Sequence, residues 1–255
     1  MTTAAHAGTV VAAPARRRVL AQARFETRTL LSNGEQLLVS MVLPALALVG
    51  LTLGSVPDLG PGNRADLALA GTFALAVVST AFTGQAISVG FDRRSGVLRL
   101  LGTTPLGRGG LLAGKALAVL SVLAVQVVVL GALGLALGAG VVVAGILPAV
   151  LALLLGSATF VALALLLAGT LRAEAVLALA NLIWVLFLGL GTLVPTAQLP
   201  GPLSRIAPLL PSGALGDSLR AALVDGAWAW GPDAVLLAWG VVAGVLASRL
   251  FRWSG

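Results

Sequence analysis

The run Leu111–Leu137, LLAGKALAVLSVLAVQVVVLGALGLAL, carries a single charge, Lys115, close to its start. Coiled into an α-helix at 1.5 Å per residue it would measure about 40 Å, more than the roughly 30 Å of a bilayer hydrocarbon core. The residues do not alternate apolar and polar, so a transmembrane β-strand is excluded. Comparable runs recur along the chain, separated by Gly, Pro and charge. They predict an all-α integral membrane protein with six spans, near 33–56, 66–90, 111–137, 142–170, 175–194 and 233–250.

Composition agrees. Hydrophobic residues make up 58% of the chain and charged residues 10%, where soluble domains carry about 25% charge. There is no Cys, no Tyr and one histidine, His6. A metal or haem site needs several converging ligands, and a serine hydrolase needs a base beside its nucleophile. The expectation is therefore no catalytic site, no metal and no cofactor on this chain. A net charge of +7 does not point to nucleic acid, because a soluble basic face and aromatic platforms are missing.

Residues 1–14 read as a disordered tail. No apolar h-region follows Arg16-Arg17-Arg18 directly, so the reading is against a cleaved leader. Residues 15–32 form a weakly amphipathic pattern, with Arg17, Arg24 and Arg28 on one stripe and Leu20, Thr27 and Leu31 on another, which predicts an interfacial helix. The six-span domain then occupies 33–255. Ser32-Asn33-Gly34-Glu35 has capping-box spacing, and Pro44 predicts a kink in the first span. Five prolines between Pro195 and Pro211 break the chain. Ser212 is placed to cap a short helix whose Leu215, Leu219, Ala222 and Leu223 share a face. These form a broken helical insert, 195–231, between the last two spans, with Trp228 and Trp230 as interfacial anchors.

With both termini on one side, the segments facing that side hold thirteen of the sixteen Lys and Arg residues and the opposite segments hold Arg64, Arg205 and Arg220. The positive-inside bias makes the richer side cytoplasmic. Five of the thirteen fall in Phe91–Lys115, FDRRSGVLRLLGTTPLGRGGLLAGK. Within it Asp92 is predicted in a first helical turn. Val97, Leu100 and Leu101 form an apolar face, and Pro105 with Gly107 ends the run. From the residues alone a short interfacial helix of this kind is either an anchor to anionic lipid or a contact for a cytoplasmic partner.

Asp92-Arg93-Arg94-Ser95-Gly96-Val97-Leu98-Arg99-Leu100-Leu101-Gly102-Thr103-Thr104-Pro105-Leu106, followed by Gly114-Lys115, resembles the loop between spans two and three of ABC-2 type transporter permeases. In that family an acidic-basic-acidic, any, Gly-Thr pattern precedes Leu-rich residues, Thr/Ser-Pro, a basic residue and Gly-Lys. Arg94 stands where the family often has an acid, and Val97 where it often has Thr. The resemblance extends to the amphipathic N-terminal helix, the six spans and the broken insert. It implies a coupling helix that docks on an ABC ATPase subunit, carried by Asp92, Arg93, Arg94, Gly96, Leu98, Arg99, Leu101, Thr103, Thr104 and Pro105. Arg172 and Glu174 would add a second cytoplasmic contact or form a simple surface pair.

It further implies the permease half of an exporter in the cytoplasmic membrane, paired with itself or a sister chain, with ATP and Mg bound by the ATPase. A non-transporting scaffold and an ATP-independent secondary transporter are the alternatives. The second lacks a charged relay within the spans. Gly109–Ala116 nearly matches a phosphate-binding loop, but Ala116 lacks the metal-holding hydroxyl and no strand precedes it; Lys115 is expected to snorkel to headgroups. Gln85, Ser88, Gln126, Ser157, Thr159 and Asn181 are expected to bond between helices or to line a path. The pairs Gly50/Gly54 and Gly134/Gly138 are expected to allow close helix packing.

Overall fold

The computed structural model describes residues 13–32, 34 and 38–252. The proposed capping box and most of the N-terminal tail, with His6, lie outside the described residues. Among those described, every regular element is a helix. They are α1 (Ala15–Ser32), α2 (Leu43–Leu53), α3 (Arg64–Val77), α4 (Gln85–Arg94), α5 (Val97–Gly102), α6 (Gly107–Ala136), α7 (Ile146–Thr170), α8 (Ala173–Phe187), α9 (Leu203–Ile206), α10 (Pro211–Leu223) and α11 (Trp230–Leu250). Five helical stretches are long and apolar enough to cross a membrane: Arg64–Arg94, Gly109–Ala136, Val143–Thr170, Ala173–Thr192 and Trp230–Leu250. Ser40–Leu53 is a shorter apolar helix. Pro44 stands in the first turn of α2, where the π turn Leu38–Val42 gives way to α-helix.

The stretch α3–α4, joined through the π turn Val78–Gly84, is enclosed by the others. Its residues explain how. Ala65, Ala68, Ala70, Ala74, Ala76, Ala81 and Ala86 are buried on all its faces, and small side chains let neighbouring helices come close, which is how helices associate without a hydrophobic driving force between them. A side chain at Gly71 would lie 3.0 Å from the carbonyl oxygens of Thr192 and Leu193, and one at Gly90 would lie 3.3 Å from Val176. Helices α2, α6, α7, α8 and α10 surround it, and α11 packs along α7. Phe82, Phe160 and Phe187 meet at its middle, with ring centroids 5.8–6.3 Å apart.

Some polar side chains within the spans bond between helices. Thr80 donates to Gln126 Oε1 at 3.1 Å, and Gln126 Nε2 donates to the Ser40 carbonyl at 2.5 Å. Trp184 donates to Ser79 at 2.9 Å, and Thr159 to the Leu236 carbonyl at 3.0 Å. Others bond within their own helix: exposed Asn181 donates to the Leu177 carbonyl and Ser157 to that of Leu153.

The glycine pairs are corrected in part. Gly134 does admit Leu69, 2.9 Å from where its Cβ would stand, but Gly138 is a turn residue at φ +93° and Gly50 faces open space. Gly54 ends α2 as its C-cap. The same holds for Ser212. Leu210 occupies the N-cap of α10 and Pro211 opens the helix, so the Ser212 hydroxyl instead donates to the Leu190 carbonyl at 2.9 Å. Leu215, Leu219 and Ala222 are buried together, as their spacing predicts.

Candidate functional site

At one end of the bundle the chain leaves α4, turns at Gly96 and makes the six residues of α5. The turn needs a glycine, because Gly96 has φ +76°, a region that costs other residues a clash with Cβ. The Ser95 and Gly96 amides close onto the Phe91 and Arg93 carbonyls. The far end of α5 is tied off by two hydroxyls, Thr103 Oγ1 to Leu100 O at 2.8 Å and Thr104 Oγ1 to Leu101 O at 2.6 Å. Gly107, at φ +68°, starts α6. Among these residues Leu98 is 2% exposed and pegs α5 to the body, whereas Val97 and Leu100 are 38% and 68% exposed. The apolar face predicted from Val97, Leu100 and Leu101 therefore points largely outward, and the anchoring residue is Leu98.

Asp92 does not open this helix. It lies in the last turn of α4, and its carboxylate accepts from Lys115 Nζ at 2.8 Å. Lys115 also meets Glu26 Oε1 of α1 at 2.9 Å, and Gln22 Nε2 donates to the same carboxylate at 2.9 Å. The lysine is 3% exposed, so it is a buried cross-link of α1, α4 and α6 rather than a snorkelling side chain. Two acids satisfy it because a buried ammonium left alone would be costly. Helix α1 reaches this position by lying along α6 over Gly110 and Gly114; a Cβ at Gly114 would stand 2.7 Å from Gln22. Arg18 of α1 also donates to the Pro105 carbonyl beyond α5. Residues Gly109–Lys115 form the first turns of α6, so they make no phosphate-cradling loop.

The arginines divide. Arg94 is exposed and pairs with Glu174 at 2.5 Å, tying α4 to the start of α8. Arg99 is exposed on α5. Arg93 is 7% exposed and turned inward, with Nη2 donating to the Leu171 carbonyl. Arg172 is the exposed N-cap of α8, and Glu174 pairs with Arg94 instead of with Arg172. Of the ten predicted contact residues, Arg94, Arg99, Thr103 and Pro105 are exposed and Thr104 and Leu101 half-buried, while Leu98 and Arg93 are inside. Sequence reasoning missed Glu26, Gln22 and Arg18; the four-residue spacing of Gly110 and Gly114 was the signal that another helix lies there.

The opposite end is also held by a buried cation. Span Ala173–Thr192 breaks at Gly191, φ +92°, leaving carbonyls without helical partners. Arg220 of α10 caps them, donating to Gly191 O at 2.9 Å and Thr192 O at 2.7 Å and to Asp217 at 3.3 Å. Burial pulls its guanidinium down to about 10, against the opposing charge of Asp217, so it remains charged at neutral pH. Asp217 also accepts from Thr196 at 2.5 Å. Trp228 and Trp230 stack with centroids 5.3 Å apart.

Between α6 and α7 runs an apolar groove made of two adjoining cavities of about 350 and 370 Å³ that share Leu120, Leu154 and Ser157. Ser157 spends its hydroxyl on the Leu153 carbonyl at 2.5 Å, which leaves the groove without a free polar group from it.

A search of curated proteins finds no match to this chain. The family model described as ABC-2 family transporter protein matches residues 35–249. That match covers α2 to all but the last residue of α11, with the Asp92–Pro105 turn inside it, so this multi-pass membrane chain belongs to the ABC-2 transporter family.

Proposed function

We propose that this chain is the permease subunit of an ATP-driven exporter, with ATP and Mg handled by a separate ABC ATPase and no catalytic site of its own. In this reading Ser40–Leu53 belongs to the first of six spans. Both termini lie in the cytoplasm, and α1 packs along the cytoplasmic end of α6. Helix α5 is the coupling helix. A second permease, identical or related, completes the path.

The observation that carries the reading is the build of the α5 end. Val97 and Leu100 stand exposed beside Arg94 and Arg99, while Leu98 and the Glu26–Lys115–Asp92 cluster fix the turn to three helices. A push on α5 then moves α4 and α6 together, because the connection is packed and ionic rather than a loose loop. The same arrangement suits docking better than lipid anchoring: the exposed leucine and valine sit among charges and backbone turns. The apolar groove between α6 and α7 favours a hydrophobic or amphipathic cargo.

The test is capture of the cognate ATPase by the purified permease. Val97→Asp with Leu100→Asp is expected to abolish capture and substrate-stimulated ATP hydrolysis while leaving the thermal midpoint of the permease unchanged, since both side chains are exposed. Undiminished capture by that variant would remove α5 from the interface. Capture without any vectorial transport in vesicles would favour the scaffold reading.

A further inference from the structure

Beside α5, a cavity of about 300 Å³ is lined by Gly90, Arg93, Arg94, Arg172, Ala173 and Glu174. Three of these six are arginines. Arg252, outside this lining, brings a fourth positive charge to the same end of the bundle, its backbone amide held at the Gly169 carbonyl just before α8. Among the described residues, the one acid lining the cavity, Glu174, is already paired with Arg94. Such a cluster of like charges is unfavourable unless an anion joins it.

Two further features point to an anion. The cavity opens on the N-terminus of α8, a helix of 15 residues whose first-turn amides have no side-chain cap from Arg172; helix N-termini favour negative charge and offer free N–H donors. Independently, Arg93, which is 7% exposed, has Nη2 spent on the Leu171 carbonyl, while its Nη1 is buried with no partner. An unused donor on a buried guanidinium that lines a cationic cavity is the kind of group a charged acceptor would satisfy.

Depth selects the kind of anion. The helical stretch Arg64–Arg94 has 31 residues, about 46 Å at 1.5 Å per residue, against a hydrocarbon core of about 30 Å. Arg93 and Arg94 at its end therefore lie at headgroup level, as do Arg172, just before the next span, and Arg252, just after the last. Phe91, 41% exposed and next in sequence to Gly90 of the lining, offers an apolar group beside the charges. Basic pockets between membrane helices take phosphate-bearing headgroups.

We infer that Arg93, Arg172, Arg252 and the N-terminus of α8 form a binding site for the phosphate of an anionic phospholipid. The lipid would bridge the end of α4, the start of α8 and the end of α11, next to the turn that carries α5. This assignment depends on the membrane-spanning fold and is independent of whether α5 docks on an ATPase.

The experiment uses the purified full chain in detergent, titrated with dioctanoyl phosphatidylglycerol, dioctanoyl phosphatidylcholine or inorganic phosphate, with bound adducts counted by native mass spectrometry. Arg172→Gln with Arg252→Gln is expected to weaken phosphatidylglycerol binding about 30-fold, the product of two surface charges. It should leave phosphatidylcholine binding and the melting midpoint unchanged, because both arginines are exposed. Arg172→Lys with Arg252→Lys should restore most of the binding. Arg249→Gln, an exposed charge on α11 outside the cavity, should have no effect. Equal retention of the two lipids, or an equal loss in Arg249→Gln, would overturn the site. Inorganic phosphate that saturates the protein and displaces the lipid would overturn its assignment to a lipid. If the glutamine pair instead lost ATPase capture while keeping its lipid, the cavity would belong to the protein partner and the inference would fail.

Discussion

Lys115→Met removes the cation from a cluster whose two carboxylates stay behind. The geometry sets the size of the loss. The Lys115 side chain is 4% exposed, that of Glu26 11% and that of Asp92 30%. Breaking a buried pair by deleting one partner costs about 3–5 kcal/mol; Asp92 can rehydrate in part and Gln22 still donates to Glu26, so the lower end, about 3 kcal/mol, applies. At about 2–4 °C per kcal/mol for a chain of this size, the thermal midpoint should fall by about 6–12 °C. The assay is tryptophan fluorescence during heating of the detergent-purified chain, with the triple variant Glu26→Gln, Asp92→Asn, Lys115→Met alongside. The triple should recover at least half of the loss, because neutral groups no longer need the ammonium. A midpoint for Lys115→Met within 1 °C or so of the parent would refute the claim that this cluster holds α1, α4 and α6 together.

Three other outcomes follow from the packing. Arg220→Met strands the Gly191 and Thr192 carbonyls and Asp217, and should destabilise by about 3 kcal/mol; Arg220→Lys should restore less than half of that, since an ammonium lacks the planar fork, as read by the same melting curves. Phe160→Ala empties the junction of three rings and should cost about 3–5 kcal/mol, with a matching drop in midpoint. Gly96→Ala meets no neighbour within 4 Å, so its cost is backbone strain alone, about 1–2 kcal/mol, and Gly96→Asn should cost less than Gly96→Ala.

Five of the six predicted spans were legible because hydropathy and turn residues act locally; of the first, 33–56, the described part is the shorter apolar helix Ser40–Leu53. The predicted run 142–170 corresponds to helix at Val143–Thr170, and 233–250 to α11 starting at Trp230. What sequence spacing could not show were contacts between distant segments. Asp92 looked like a first-turn acid because it precedes Val97, but Gly96 takes positive φ and separates the two helices. Lys115 looked like a snorkelling lysine because it opens an apolar run; only the arrival of α1 over Gly110 and Gly114 brings Glu26 to it. The motif around Asp92–Pro105 singled out the turn that carries α5, but it did not distinguish Arg94, which faces outward, from Arg93, which faces inward. That distinction depends on the Leu171 carbonyl, 78 residues away.

The enclosure of α3–α4 also bears on how the protein is made. This stretch leaves the ribosome before α7, α8 and α10, which cover it. Until they insert, an alanine-rich helix bearing Thr72, Ser79, Thr80, Thr83 and Gln85 must face lipid instead of protein. Assembly therefore runs backwards relative to synthesis: the centre is laid down before its cover and is closed only when α7, α8 and α10 arrive. A chain halted at Thr170 would hold a central helix still open on the sides that α8 and α10 fill, a natural target for membrane quality control.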